Sequence, residues 1–295
     1  MISEQMRVIG EELRATRKPV FMTTESALAL IAAPKSSGEV PEGLRRSFQV
    51  QSRDVLGSTV VSLSLPDRDP RAVVVYLHGG AFVNEIQERH WRLAAQLAEA
   101  GVRVEVALYP LVPNASHRDS YALLDALYAE LLEVFTPDRV VLCGDSSGAG
   151  LAIGFAQTLI DDARPMPALI VAISPWLDVT MANPAGRALE DDDPWLGVAG
   201  LVTAGRGWAD GIDPRDPRVS PLFGAVAGLA PIELITGTID CLHPDALIFA
   251  EAVRVAGGEI QVTQVDGAYH DYPLLECPEA DGAVAHIKLV LRALA

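Results

Sequence analysis

Cys143-Gly144-Asp145-Ser146-Ser147-Gly148-Ala149-Gly150 lies between Arg139-Val140-Val141-Leu142, a run of strand-formers, and Leu151-Ala152-Ile153-Gly154-Phe155-Ala156, a small, apolar run suited to a buried helix. Strand, sharp turn, helix is the context in which G-x-S-x-G forms a nucleophile elbow. Glycines at 144 and 148 let the strand and helix backbones approach closely around a strained residue. Ser146 then stands above the sheet at a helix N-terminus, whose partial positive charge favours a developing anion. The pattern alone occurs by chance, so a base, an acid and an oxyanion site must come from elsewhere in the chain.

Outward from this stretch, strands and helices alternate. Arg71 to Leu77 is a nearly continuous β-branched run, as expected of a buried parallel strand. Strands are expected at Val102–Leu108, Arg139–Leu142, Ala168–Ile173, Ile232–Thr236 and Glu259–Val265. Helices are expected at about Arg89–Ala100, His117–Phe135, Ser147–Leu159, Pro244–Ala256 and Glu279–Ala293. Ser47–Ser52 and Ser58–Leu65 read as two further strands, the second alternating as a half-exposed antiparallel strand does. The pattern predicts an α/β fold, a mostly parallel sheet of about eight strands with helices on both faces. Residues 1–45 are expected as an N-terminal cap segment. It includes the face Met6, Ile9 and Leu13, the stretch Ala27–Ala33, and a polar connector from Lys35 to Gly43. Residues 46–295 are expected as the catalytic domain, with a cap insertion near 180–215. Within it, Glu190-Asp191-Asp192-Asp193 precedes Pro194. It reads as an N-cap and first turn of a lid helix from about Pro194 to Gly207 and not as a metal site.

The chain has 295 residues, 49% hydrophobic and 21% charged, with a net charge of −16. One large core fits this length. So acidic a surface repels phosphate backbones, so no nucleic-acid partner is expected. No apolar run reaches the ~18 residues of a membrane span, and the first residues lack an apolar signal core. Cys143, Cys241 and Cys277 cannot all pair and lack zinc-site spacing. They read as free thiols, which places the chain in the cytoplasm.

Chemistry in an open α/β sheet sits at the C-terminal ends of strands. His270, just past the last expected strand, fits a mobile general base. His90 and His286 lie within expected helices and read as solvent-facing. His117 and His243 open helices, and His243 stays a lesser candidate because it is near Asp240. Asp240 follows the strand next before the base and is the expected acid, with Asp178 as the alternative. Chain order is then Ser146, Asp240, His270. Asp145 reads as a turn-stabilising side chain. Backbone N–H groups of Gly79, Gly80, Ala81 and Ser147 are the expected oxyanion hole, with His78 as an anchor for its loop. Phe82 and Trp176 are expected beside the substrate.

This combination resembles the hormone-sensitive-lipase-like family of α/β-hydrolases, in its bacterial carboxylesterase and acetyl-hydrolase branch, from about Ala72 to the C-terminus. His78-Gly79-Gly80-Ala81 is similar to that family's H-G-G-G/A loop, whose second and third small residues donate N–H groups, here Gly80 and Ala81. Tyr109-Pro110-Leu111-Val112-Pro113 is similar to its Y-R-L-A-P stretch, and Gly144-Asp145-Ser146-Ser147-Gly148 to its G-D-S-A-G elbow. Ser220-Pro221-Leu222 and Gly237-Thr238-Ile239-Asp240-Cys241-Leu242 match later landmarks. Ser147, Pro110, Asn114 and the stretch Cys241 to Pro244 depart from the pattern without removing a catalytic group. The resemblance implies a serine esterase acting on small esters, without metal or cofactor, with a lid from the N-terminal segment and an insertion, and a possible homodimer. A small-amide hydrolase and a non-catalytic receptor of the same fold are the alternatives, against which stands the joint presence of Ser146, Asp240 and His270.

Overall fold

Val73, Val75 and Leu77 face one apolar layer, and Val74 and Tyr76 face the other. Strand β3 (Val73–Leu77) is therefore buried on both sides, which is why its sequence is an unbroken apolar run and not an alternation. The computed structural model describes residues 2–35 and 38–295. Met1 of the expected cap segment and Ser36 and Ser37 of the expected connector lie outside the described residues. Helices α1 (Glu4–Thr16), α2 (Lys18–Phe21), α3 (Thr24–Ala32) and α4 (Glu42–Ser47) precede β1 (Gln49–Val55) and β2 (Ser58–Ser64). After β3 come α5 (Glu88–Ala98), β4 (Arg103–Ala107), α6 (His117–Leu132), β5 (Val140–Asp145), α7 (Ser146–Asp161) and β6 (Leu169–Ile173). Then follow α8 (Pro184–Ala188), α9 (Val198–Ala209), β7 (Ile232–Gly237), α10 (His243–Val255), β8 (Ile260–Val265) and α11 (Pro278–Arg292).

Among the described residues the strands form one eight-stranded sheet, in the order β1-β2-β4-β3-β5-β6-β7-β8. β2 is antiparallel to both β1 and β4, and the rest of the sheet is parallel. The C-terminal ends of β3, β5, β7 and β8 therefore point the same way, which brings four separate loops to one edge. Helices α2 and α3 pack on α9 over that region. No helix among the described residues is long and apolar enough to cross a membrane.

Two expectations need correction here. The helix expected from Pro194 starts at Val198, after N-cap Gly197. Asp193 does accept from the N–H groups of Trp195 and Leu196. Its other oxygen accepts from Cys241 N at 3.0 Å, a contact that holds the segment in a turn. His90 is not solvent-facing but buried, because α5 lays that face on the sheet. His286 is half-buried, with Nε2 at 2.9 Å from Glu233 of β7.

Candidate active site

The chain turns at the end of β5 straight into α7, and Ser146 takes φ +52° there. A Cβ on Gly148 would stand 2.0 Å from the carbonyl oxygen of Leu77. Only a residue without a side chain lets α7 sit so close to the end of β3. Past β8, His270 directs Nε2 to Ser146 Oγ at 3.0 Å and Nδ1 to Asp240 Oδ2 at 3.0 Å. Asp240 lies past β7, and its other oxygen accepts from Leu242 N at 2.8 Å. The relay is sealed: Ser146 is 5% exposed, His270 1% and Asp240 0%. Burial opposes a charged imidazole, but Asp271 and Asp240 outweigh it and hold the His270 pKa well above the ordinary histidine value.

The loop after β3 carries three successive left-handed residues, Gly80 (φ +131°), Ala81 (+55°) and Phe82 (+61°). Val83 and Asn84 close it by donating to the Gly80 carbonyl at 3.1 and 2.9 Å. The N–H groups of Gly80 and Ala81 find no acceptor among the described residues. The N–H of Ser147 lies in the first turn of α7, where a helix leaves its donors unpaired. Gly79 departs from expectation. Its N–H donates to Asp145 Oδ2 at 2.8 Å and is not free for a ligand. Asp145 also accepts from Tyr76 Oη at 2.5 Å, and His90 Nε2 lies 3.5 Å away. Burial works against an ionised Asp145, but His90 and Tyr76 more than offset it and keep its pKa below the ordinary carboxylate value. His78 stacks on Tyr109 with ring centroids 4.6 Å apart, and Tyr109 Oη donates to the His78 carbonyl at 2.6 Å. Burial lowers the His78 pKa to about 4, so this ring is neutral.

A family model for the alpha/beta hydrolase fold matches residues 74–274. An acetyl-hydrolase of Streptomyces hygroscopicus is 33% identical over 208 residues, 70% of this chain and 69% of its own. An esterase of Acinetobacter venetianus is 30% identical over 220 residues, 73% of each chain. Among solved structures, an esterase from the bacterial hormone-sensitive lipase family is 26% identical. It superposes with a TM-score of 0.82, covering 100% of this chain and 99% of its own. The chain belongs to the alpha/beta hydrolase family. Within it, the chain is a hormone-sensitive-lipase-like carboxylic ester hydrolase.

For an alpha/beta hydrolase of this branch, the remaining candidates fall into place. Asp178 is not beside His270. It is buried, and its carboxylate accepts from Thr180 N and Thr180 Oγ1, closing a turn. His243 Nδ1 lies 3.2 Å from Thr236 Oγ1, and His117 Nδ1 lies 3.1 Å from the Trp208 carbonyl. Phe82 and Trp176 are both brought to the elbow: Phe82 N lies 3.4 Å from Ser147 Oγ, and Trp176 N donates to the Ser146 carbonyl at 3.0 Å. Sequence reasoning missed Trp208, at the end of α9, whose ring stacks on Phe82 at 3.8 Å and 4°. It also missed Trp195, edge-on to His270 with centroids 5.8 Å apart. Aromatic residues in the expected lid were the available signal for both. Asp271, whose Oδ2 lies 3.2 Å from His270 Nε2, had none, since it reads as a loop carboxylate.

Proposed function

We propose that this esterase cleaves short-chain acyl esters through a covalent acyl-enzyme, with Ser146 as nucleophile, His270 as general base and Asp240 as its orienting carboxylate. The observation that carries the reading is the unbroken relay of 3.0 Å contacts from Ser146 through His270 to Asp240. Ser146 Oγ attacks the ester carbonyl and its proton passes to His270 Nε2. The tetrahedral oxyanion is held by the N–H groups of Gly80, Ala81 and Ser147, a stabilisation that ranks among the largest in such sites. Collapse breaks the bond to the alcohol, which takes the proton from Nε2. Water then repeats the sequence and releases the acid. Residues 1–45 and the insertion near 180–215 act as the cap over this site.

Phe82, Trp176 and Trp208 fill the space beside the elbow and the oxyanion loop, which favours a short acyl pocket. Ser146→Ala, His270→Ala and Asp240→Asn are each expected to lower kcat by roughly three or more orders of magnitude, since triad members act as a unit. A fluorophosphonate should label Ser146. Near-normal turnover by Asp240→Asn would refute the assignment of the acid. On a p-nitrophenyl ester series, kcat/KM should peak at about two to six acyl carbons, with no jump above the solubility limit. A maximum at twelve carbons or activation on an emulsion would contradict the short pocket.

A further inference from the structure

A second carboxylate reaches His270. Asp271 Oδ2 lies 3.2 Å from His270 Nε2, the same nitrogen that faces Ser146 Oγ at 3.0 Å. Asp271 is 3% exposed, its Oδ1 has no hydrogen-bond partner among the described residues, and its backbone is left-handed at φ +51°. Its N–H is fixed to Ser174 Oγ at 3.1 Å. A carboxylate buried with one oxygen unpaired is costly. We propose that Asp271 is an additional catalytic residue that shares a proton with His270 Nε2 and sets the pH at which the base becomes free. The inference rests on the triad reading given above.

The proton count makes the argument. With one proton on the pair, it sits between Oδ2 and Nε2, whether written as a carboxylic acid beside a neutral imidazole or as a carboxylate beside an imidazolium. In both forms the Nε2 lone pair is occupied and cannot take the proton of Ser146. The base is free when that proton leaves, with Asp271 ionised and His270 neutral. Ser146 then transfers its proton to Nε2 as the Oγ–C bond forms. The Asp271 carboxylate accepts a hydrogen bond from the new Nε2–H and stabilises the imidazolium. The proton goes on to the departing alcohol, so Asp271 gains none over the cycle. The surroundings fit. Burial raises the Asp271 carboxyl to about 7 against the pull of His270, with Asp145 and Asp240 adding to the rise. Arg89, half-buried in α5 with its guanidinium over the Trp195 ring, supplies positive charge on this side, and Tyr76 from β3 also faces the group. The pair therefore titrates as a unit.

Sign follows from the geometry. Protons block the base, so activity is lost as pH falls, and the neighbouring negative charge moves that loss to higher pH. Asp271→Asn removes the charge and keeps the shape. The acid limb of kcat/KM should move down by about one pH unit or more, the effect of losing an opposite charge within ~4–6 Å. The plateau at high pH should fall several-fold, so the variant is faster than the native enzyme at low pH and slower at high pH. Asp271→Gly, which tolerates the left-handed backbone, should shift the limb the same way. A limb that stays in place or moves to higher pH overturns the proposal, even if activity drops uniformly, because a merely structural residue lowers the rate at every pH. Should neither variant fold, the fluorophosphonate inactivation rate of the native enzyme carries the test. Its acid limb must lie above the ~6.5 of an ordinary histidine, and a limb at or below that value overturns the proposal. Ser146→Ala separates the two readings: if it keeps its activity the triad assignment fails, whereas an inert Ser146→Ala with an unmoved Asp271→Asn limb removes Asp271 alone.

Discussion

Ser146 holds φ +52° without being glycine. An L-residue in that conformation is strained by about 1–2 kcal/mol, and the strain persists because β5 and α7 are fixed on either side of it. Two variants that lack the hydroxyl isolate this cost. Ser146→Ala and Ser146→Gly both remove the hydroxyl that meets His270, but glycine alone relaxes the backbone. Ser146→Gly should therefore be more stable than Ser146→Ala by about 1 kcal/mol, read as a higher urea midpoint at the same slope. A glycine variant of equal or lower stability would mean that the elbow is not strained at this residue. Gly80 belongs to the same argument, since its φ of +131° and an Asn84 carbonyl 2.8 Å from any added Cβ exclude larger residues.

The contact between the loop after β3 and α9 is made by two rings, Phe82 and Trp208, stacked 3.8 Å apart. A single wall shared by two elements offers a direct test of the short pocket. Trp208→Leu removes the indole but keeps an apolar side chain, so it should open space for about two further methylenes, each worth about 0.8 kcal/mol when buried. The acyl optimum should lengthen accordingly, and an unchanged optimum would show that the wall lies elsewhere. The same elements show what a sequence can carry. The strand-turn-helix around Ser146 was legible because strand, glycines and helix follow one another within the stretch 139–161, and the loop positions of Asp240 and His270 were legible because each sits just past a strand. The start of α9 was misread. Asp193 does cap the next two N–H groups, but Cys241, 48 residues away, takes its other oxygen and keeps the turn from becoming helix. Trp208 and His90 gave no sign of their partners, because a ring stacked across 126 positions or an imidazole facing Asp145 leaves no local pattern. Gly79 was assigned a free N–H for the same reason, since the Asp145 carboxylate that occupies it lies 66 residues on.

At the scale of the whole molecule, the N-terminal arm grips the insertion by its backbone. Lys18, 7% exposed, donates through Nζ to the carbonyls of Glu190, of Asp193 at 2.6 Å and of Leu196 at 3.2 Å. Arg14 donates to the carbonyls of Asp191 and Asp192 at 2.7 and 2.8 Å. The segment so held carries Asp193, bonded to the N–H next to Asp240, and Trp195, set against His270. A continuous physical path thus runs from the second helix of the chain to His270. Lys18→Met keeps the aliphatic stem but leaves buried carbonyls without a donor, at a cost of about 1–3 kcal/mol. Both stability and kcat/KM should fall, because the loosened turn no longer fixes the ring beside His270. Arg14→Met removes two bonds at an exposed position and should change stability by no more than about 0.5 kcal/mol. Thermal melts and steady-state kinetics on the two variants decide the matter. Equal losses would reduce the arm to ordinary surface packing, whereas a loss confined to Lys18→Met identifies the buried ammonium as the tie between arm and active site.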